Sequence, residues 1–215
     1  MINNLSTIVI QVVAFLVAIT IHEASHAWMA FRLGDPTAKL RGRLSLNPIA
    51  HIDLYGTVLI PLFLILIGSP FVFGWAKPVM FDVYNLKNPR KDSALIALAG
   101  PVSNLIFSIL IAFVLSITNL SQNSFLGSLF FYIIAINIVL AIFNLIPIHP
   151  LDGGKIFIGL LPEKDAQEAD FFLRRYGIFL LILLIFPIFG GRSPLSYILW
   201  PTVNFVLKLL TPANF

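Results

Sequence analysis

Long apolar runs constrain the fold of this chain more than any other feature of its sequence. Several are long enough, or nearly long enough, to cross about 30 Å of hydrocarbon. They are residues 5–31, 95–118, 127–148, 176–190 and 194–210. Hydrophobic residues make up 58% of the 215 residues and charged residues only 11%, against roughly a quarter charged in a soluble domain. The sequence therefore predicts an all-α polytopic membrane protein embedded in a lipid bilayer.

The first run is interpreted as a retained span and not as a cleavable signal peptide. No positively charged region precedes it, and it is longer than the apolar region of a signal peptide. In addition, His22, Glu23 and His26 stand where a cleavage site of small residues would lie. These ionisable residues therefore belong to a membrane helix.

Lysine and arginine residues predict which loops face the cytoplasm. They cluster in residues 32–91 and 155–175, whereas the loop 119–126 carries no charge. By the positive-inside rule, both basic segments are cytoplasmic. This distribution explains the net charge of +4 without a nucleic-acid partner, and we expect a multi-pass protein of the cell membrane.

The connection between the first two long runs has the least regular pattern. Residues 39–46 alternate between polar and apolar, which favours a short strand or hairpin. Residues 56–73 are apolar but short, and proline and glycine interrupt them. We expect a re-entrant or interfacial segment at 56–73 and a short β-hairpin within 38–73. No loop is long enough for a second domain, so residues 1–215 are expected to form a single transmembrane domain.

A full crossing at 56–73 would conflict with two other features. It would place the basic loop 74–94 outside, against the positive-inside bias. It would also invert every later span, so that Asp152 would emerge about 30 Å from His22 and His26. A re-entrant segment removes both conflicts, the second of which matters only if these three residues share a metal.

His22, Glu23 and His26 form an H-E-x-x-H pattern inside the first apolar run. Histidines four residues apart lie on one face of a helix, so both imidazoles can bind one zinc ion. Glu23 is offset by about 100°, which suits a general base that acts on a water molecule without itself binding the metal. Ionisable residues deep in an apolar span are costly and by default functional. The pattern therefore predicts a catalytic zinc site.

A catalytic zinc needs a third protein ligand and an open position. The chain has no cysteine, which leaves histidines and carboxylates. The candidates are His51, His149 and the acidic residues, most of which, such as those of 163–170, lie in a charged segment that is typical of a solvated face. Asp152 follows the run 127–148 in a segment rich in proline and glycine, which can turn a carboxylate inward. Asp-Gly-Gly alone is equally typical of a simple turn.

Four short motifs are spread from about residue 20 to 155. They are His22-Glu23-x-x-His26, Gly74-Trp75-Ala76-Lys77-Pro78-Val79, Ala99-Gly100-Pro101-Val102-Ser103-Asn104 and Asn144-x-x-Pro147-x-x-Pro150-Leu151-Asp152-Gly153-Gly154. Together they resemble the site-two protease family of intramembrane zinc proteases. The first and last motifs as a pair are far more specific than either alone.

The resemblance implies a three-helix catalytic core at residues 5–31, 95–118 and 127–150, with the remaining spans peripheral. It implies that Asp152 is the third ligand of one Zn²⁺ per chain, and that Asn144 helps to bind substrate or to stabilise the oxyanion. It further implies an endopeptidase that cleaves in or near transmembrane segments of membrane-protein substrates, in regulated intramembrane proteolysis. The basic loops put this site near the cytoplasmic side. Without room for PDZ or CBS modules, the chain resembles a minimal member.

Other polar residues have competing interpretations. His51 either contacts substrate or supports the metal site, or it is an interfacial loop histidine paired with Asp53. His149 is either a structural neighbour of the site or a ligand. Asn104 is expected to form a hydrogen bond between helices.

A different class of function also places histidine and carboxylate groups inside a membrane. A metal-ion or proton-coupled transporter would do so, but it would carry repeats with broken helices in both halves. Only the proline-rich segment before Asp152 has that character. An inactive membrane scaffold is disfavoured because Glu23 is present. The sequence does not indicate an oligomeric state.

Overall fold

The computed structural model describes residues 4–67, 74–118, 120–187 and 193–211, and these residues form helices and irregular segments without a strand. The helices are α1 (Asn4–Arg32), α2 (Thr37–Leu40), α3 (Ile60–Leu66), α4 (Pro89–Ile117), α5 (Phe125–Asn144), α6 (Asp152–Leu160), α7 (Glu163–Ile185) and α8 (Pro194–Leu210). Among them, α1, α4 and α5 are long and apolar enough to cross a membrane, with mean hydropathies of 2.2, 2.2 and 2.5. The all-α class and the three core spans are therefore confirmed.

The two peripheral spans stay predictions. The run 176–190 lies partly in α7, but α7 begins at Glu163 and its first half is charged, while residues 188–190 lie outside the described part. The run 194–210 coincides with α8, which is an apolar helix shorter than the three spanning helices.

Helix α1 ends in a glycine cap. Gly34 adopts a positive φ of 105°, and the N–H of Asp35 donates to the carbonyl of Ala30 at 2.9 Å. This pattern satisfies carbonyl groups that the end of a helix leaves unpaired. Ala30 then packs with Leu86 and Ile96 in one buried cluster. The connection from α1 to α4 consequently begins and ends at the same end of the bundle.

The predicted strand over 39–46 is not formed. Thr37–Leu40 is a short helix instead, and the N–H of Arg43 closes the turn by donating to the carbonyl of Ala38 at 2.9 Å. Gly42 has a φ of 68°, a left-handed conformation that interrupts an extended strand. The alternation of polar and apolar residues reflects a helical turn capped by glycine.

Asp35 organises this connection. Its carboxylate accepts hydrogen bonds from the N–H and the hydroxyl of Thr37 at 3.1 and 2.6 Å, from the N–H of Asp82 at 2.9 Å and from the side-chain amide of Asn85 at 2.7 Å. Because the side chain is fully buried, these donors replace the water that a carboxylate requires. Asp35 thereby ties the end of α1 to the segment before α4.

The segment 56–73 is only partly described. A π-helical turn at Leu54–Leu59 runs directly into α3, and the side chain of Asp53 caps it by accepting from the N–H groups of Tyr55 and Gly56. Residues 68–73 lie outside the described part of the chain. Re-entrance therefore stays a prediction.

Helix α4 is the centre of the bundle, since it packs against α1, α5, α6 and α8. At the end away from Asp35, a buried apolar cluster joins α4, α5 and α8. At the other end, α4 presents its small residues to the histidine-bearing face of α1.

Candidate metal centre

The two histidines of α1 face α4 in the interior of the bundle. His22 and His26 are only 5% and 7% exposed, and their ring centroids lie 4.5 Å apart. They lie against Gly100: a Cβ atom there would lie 2.5 Å from Cε1 of His26 and 2.7 Å from Cε1 of His22. No side chain larger than hydrogen fits this position without moving the imidazoles.

Each histidine is held through its Nδ1 atom. Nδ1 of His26 lies 2.7 Å from the carbonyl oxygen of Ile96, and Nδ1 of His22 lies 2.7 Å from Oδ1 of Asn104. Since both partners are acceptors, Nδ1–H is the donor in each case, and Nε2 of each ring carries a free lone pair. Both histidines are thus oriented as metal ligands with the second nitrogen hydrogen-bonded.

Asp152 reaches this pair from the start of α6. Helix α5 ends at Asn144, and a tight turn follows that carries Pro147 and Pro150. The turn needs a glycine directly after the aspartate, because a Cβ at Gly153 would lie 2.2 Å from the carbonyl oxygen of Ile146. The chain thereby brings the carboxylate back into the bundle.

The three ligand atoms converge on one point. Oδ2 of Asp152 lies 3.0 Å from Nε2 of His22 and 3.2 Å from Nε2 of His26, and the three side chains offer ligand atoms within 4.8 Å of one another. Oδ2 is buried and has no hydrogen-bond donor among the described residues. When both imidazoles are neutral, three lone-pair atoms face each other without a donor and repel one another, and a cation relieves that repulsion. Two imidazoles and one carboxylate fit a catalytic Zn²⁺.

Glu23 lies beside the three candidate ligands without joining them. Its Oε2 accepts a hydrogen bond from the backbone N–H of Val79 at 3.1 Å. Both residues line one cavity of about 160 Å³ together with His22, His26 and Asp152. The carboxylate is therefore held at the edge of a space large enough for several water molecules.

Two further polar residues line this cavity. Asn144 donates through Nδ2 to the carbonyl of Leu140 at 3.0 Å. The ammonium group of Lys155 lies 4.9 Å from the ring centroid of Phe81. Burial holds the pKa of Lys155 below its ordinary value, although the carboxylates of Asp152 and Glu23 act in the opposite direction.

His51 does not line the cavity that contains His22, His26 and Asp152. It is fully buried in the connection between α1 and α4, where Nε2 donates to the carbonyl of Ser45 at 2.8 Å and the backbone carbonyl accepts from Lys77 at 2.9 Å. Its Nδ1 has no hydrogen-bond partner among the described residues. One of its two interpretations paired it with Asp53, but the carboxylate of Asp53 caps the following turn instead.

His149 belongs to the turn before α6. Its backbone lies against Gly177 of α7, where a Cβ would lie 2.3 Å from the carbonyl oxygen of His149. Among the described residues it is absent from the group that could hold a metal. Of its two interpretations, the structural neighbour fits this placement.

Sequence reasoning missed contacts at the site that depend on packing. The sequence analysis did not predict that Val79 contacts the base, that Lys155 lines the cavity or that Asn137 has a role. Asn137 is fully buried in α5, which has the highest mean hydropathy of the three candidate spans. A buried amide in so apolar a helix is itself a signal for function.

Comparisons with known proteins agree with this geometry. The profile described as "Peptidase family M50" matches residues 10–125 and 116–184. The protein named "Putative zinc metalloprotease YwhC" of Bacillus subtilis is 37% identical over 203 residues, which cover 90% of this chain and 85% of that protein. "Putative zinc metalloprotease Rip2" of Mycolicibacterium smegmatis is 26% identical over 188 residues, 82% of this chain and 66% of that protein. No solved structure gives a significant match.

These matches decide between the function classes that the sequence left open. The family profile spans most of the chain, and the relatives are named as metalloproteases and not as transporters. With three membrane-spanning helices and a group of side chains suited to a metal, the chain is a zinc metalloprotease of the membrane. It belongs to peptidase family M50, the site-two proteases.

Proposed function

We propose that the chain is an intramembrane zinc endopeptidase in which His22, His26 and Asp152 bind one Zn²⁺ and Glu23 is the general base. The observation that carries this proposal is the convergence of Oδ2 of Asp152 on both Nε2 atoms, at 3.0 and 3.2 Å. These residues come from helices far apart in sequence, and each imidazole is oriented by a separate hydrogen bond. The proposed domain is the single transmembrane unit 1–215.

Bound zinc would supply a Lewis acid that polarises the scissile carbonyl and lowers the pKa of water toward about 7. Glu23 would take a proton from the attacking water and pass it to the leaving amine. Its hydrogen bond from Val79 occupies Oε2, which fixes the carboxylate and leaves Oε1 for the proton. Asn144 uses one amide hydrogen on Leu140, so the second is available for a substrate carbonyl or the oxyanion.

The substrate would be a transmembrane segment that unwinds near the cytoplasmic side. At 1.5 Å per residue, His26 lies about 9 Å along α1 from Arg32, the first residue of the basic segment 32–91. Arg32 lies over the ring of Trp28 at 5.4 Å, an aromatic and basic pair typical of a membrane interface. A site at this depth is reachable by water, and unwinding frees the scissile carbonyl from its helical hydrogen bond.

A second cavity supports an approach along α1. It measures about 330 Å³ and lies between Ala24, Ser25 and Trp28 on the helix and residues 44–46 opposite. Ala24 and Ser25 directly follow Glu23 in the chain. Residues 44–46 do not form a strand, so an extended substrate would bind here without adding to an existing sheet. His51, which holds Ser45 by a hydrogen bond, would act on the substrate only through this segment.

The Glu23→Gln substitution tests the assignment of the base. The amide retains the size of the side chain but cannot accept the proton, so cleavage of a transmembrane reporter substrate is expected to fall to background while one zinc per chain remains. The matched control is Glu163→Gln, an exposed acid paired with Arg90 at 3.3 Å, which should cleave as the wild type does. Retained cleavage in Glu23→Gln refutes the proposed base.

A further inference from the structure

A chain of buried amides connects His22 to helix α5. Oδ1 of Asn104 lies 2.7 Å from Nδ1 of His22, and Nδ2 of Asn104 lies 2.6 Å from Oδ1 of Asn137. Both asparagines are fully buried. We propose that Asn137 is a positioning residue for the metal site: through Asn104 it fixes the tautomer of His22 whose Nε2 is free to bind zinc. This inference rests on the metal ligands proposed above.

In the series of hydrogen bonds from Asn137 through Asn104 to His22, the contact that Asn137 makes at the far end determines which atom donates and which accepts at every step. Nδ2 of Asn137 donates to the carbonyl of Ile133 at 2.8 Å, so Oδ1 of Asn137 is the atom that faces Asn104. Nδ2 of Asn104 donates to this oxygen and also to the carbonyl of Ala18 at 3.0 Å. Both amide hydrogens of Asn104 are then committed. Its Oδ1 must face His22, and Nδ1 of His22 must carry the proton.

Rotation of the Asn104 side-chain amide would move the proton of His22 from Nδ1 to Nε2. If the side-chain amide of Asn104 turned by 180°, its NH₂ group would face Nδ1 of His22, which could then only accept. The proton would move to Nε2, the atom that points at Asp152, and His22 could no longer bind a metal there. Rotation would also bring Oδ1 of Asn104 against two acceptors, Oδ1 of Asn137 and the carbonyl of Ala18.

The two histidines differ in how their tautomer is set. Nδ1 of His26 faces the backbone carbonyl of Ile96, which lies within α4 and cannot exchange donor for acceptor. Nδ1 of His22 faces a side-chain amide, which can present either group. Of the two histidines, His22 therefore needs further groups to fix its partner, and Asn137 supplies one of them from a third helix, beside the carbonyl of Ala18.

The test compares zinc affinity with the stability of the metal-free protein in four full-length variants. Asn137→Leu has nearly the size of the amide but removes the acceptor for Asn104, and we expect the zinc dissociation constant to rise about tenfold, the lower end of the effect of groups that orient metal ligands. Asn137→Asp keeps an acceptor oxygen and should bind zinc within about twofold of the wild type. Asn137→Ala removes the acceptor with less bulk and should raise the zinc dissociation constant by a similar factor, so it takes the place of Asn137→Leu if that variant does not fold.

Ser108→Ala is the matched control. Ser108 is also fully buried, lies one turn along α4 from Asn104, and donates across to the carbonyl of Ile134 in α5 at 3.3 Å. It joins the same two helices without reaching a histidine. Loss of this bond should lower the unfolding temperature of the metal-free protein and leave zinc affinity unchanged.

Zinc affinity is measured by competition with a chelator of known affinity in detergent, and stability by thermal unfolding of the chelator-treated protein. Weakened zinc binding in Asn137→Leu or Asn137→Ala, with normal binding in Asn137→Asp and Ser108→Ala, supports the proposal. If zinc binding is weakened equally in Ser108→Ala, the effect is due to helix packing. If zinc affinity is unchanged in Asn137→Leu and Asn137→Ala, Asn137 has no positioning role. Either result overturns the inference about Asn137 and leaves the proposed metal site standing. A wild type that binds no zinc overturns the proposed metal site as well.

Discussion

Two carboxylates, that of Asp35, which is fully buried, and that of Asp152, whose Oδ2 atom is buried, have opposite environments. The carboxylate of Asp35 is surrounded by donors: the backbone and hydroxyl of Thr37, the backbone of Asp82 and the amide of Asn85. Oδ2 of Asp152 has no donor among the described residues and faces Nε2 of His22 and of His26, an atom that carries a lone pair when the imidazole is neutral with its proton on Nδ1. Burial of a carboxylate is costly in both places unless something replaces water.

The difference indicates what each region is for. At Asp35 the protein itself supplies everything that the charge requires, so this region is complete and holds the connection between α1 and α4 in place. At Asp152 the described residues supply ligand atoms and no hydrogen-bond donor to Oδ2, so we expect a bound cation to complete this region. The two carboxylates should therefore respond differently to substitution and to removal of the metal.

The largest expected effect is the loss of activity in Asp152→Asn. The amide keeps the shape of the side chain but removes the charge that balances zinc, and affinity should fall by more than about 100-fold, beyond the range for groups that only orient ligands. Cleavage should fall to background with it. Zinc content and cleavage of a transmembrane reporter measure both effects.

Asp35→Asn is the matched substitution in the other region. It should retain one zinc per chain and cleave normally per folded molecule. If Asp35→Asn lost zinc while Asp152→Asn kept it, the two roles would have to be exchanged.

Metal removal should affect the two regions differently. A ligand that binds only the folded state stabilises it by about 4 kcal/mol at a free concentration 1,000 times its dissociation constant. A chelator should thus lower the unfolding temperature of the wild type and of Asp35→Asn, but leave that of Asp152→Asn unchanged. Differential scanning calorimetry in detergent measures these shifts. A chelator effect that persists in Asp152→Asn would mean that zinc stabilises the fold from another site.

Truncation of the Asp35 side chain should lower the stability of the protein somewhat less than removal of zinc does. Asp35→Ala leaves the N–H groups of Thr37 and Asp82 and the amide of Asn85 without their acceptor, and we expect the free energy of unfolding to fall by about 3 kcal/mol. Thermal unfolding of the metal-free protein measures the change. An unfolding temperature equal to that of the wild type would show that this connection contributes nothing to global stability.

The smallest expected effect is the pH dependence of that same contact. Burial acts to raise the pKa of Asp35, but the hydrogen bonds from Thr37, Asn85 and the backbone of Asp82 outweigh it, and the pKa lies below its ordinary value. A depressed pKa contributes stability that is fully present above the pKa of the unfolded chain, about 3.9, and is lost as pH falls through the lower value of the folded protein. Between about pH 5 and pH 2, metal-free Asp35→Asn should therefore lose less stability than the metal-free wild type. Parallel unfolding curves for the two proteins over this range would contradict the assignment.

The membrane-spanning part of the fold was predictable because it depends on apolar runs alone. Helices α1, α4 and α5 match the runs 5–31, 95–118 and 127–148 apart from their ends. Helix α5 stops at Asn144, before Pro147, because proline cannot continue the hydrogen-bonding pattern. Helix α4 begins as early as Pro89, which suits the first turn of a helix, although hydropathy there is low.

The prediction of secondary structure was wrong where a short sequence pattern is compatible with two structures. Alternation over 39–46 predicted a strand, yet the cap at Gly42 and the hydrogen bonds of Asp35 to Thr37 produce a helical turn. The donors on Asp82 and Asn85 come from a distant part of the chain. No window of sequence around residue 39 contains that information.

The proposed metal site likewise has one part that follows from a short stretch of sequence and another part that depends on packing. His22, Glu23 and His26 were predictable from one helix, because their spacing alone puts two imidazoles on one face. Asp152 needed the family resemblance, since Asp-Gly-Gly by itself is typical of a turn. The contacts of Val79 with Glu23 and of Asn137 with Asn104 depend on how separate segments pack, and spacing along the chain does not encode them.

The most direct test of the proposed metal centre is zinc K-edge X-ray absorption of the purified protein. The arrangement of His22, His26 and Asp152 predicts one four-coordinate zinc with two imidazole nitrogens and oxygen ligands at about 2.0–2.2 Å. The signal of one imidazole, or the zinc itself, should be lost in His26→Ala. A zinc shell without imidazole, or a metal-free protein purified under zinc-replete conditions, would contradict the proposed site.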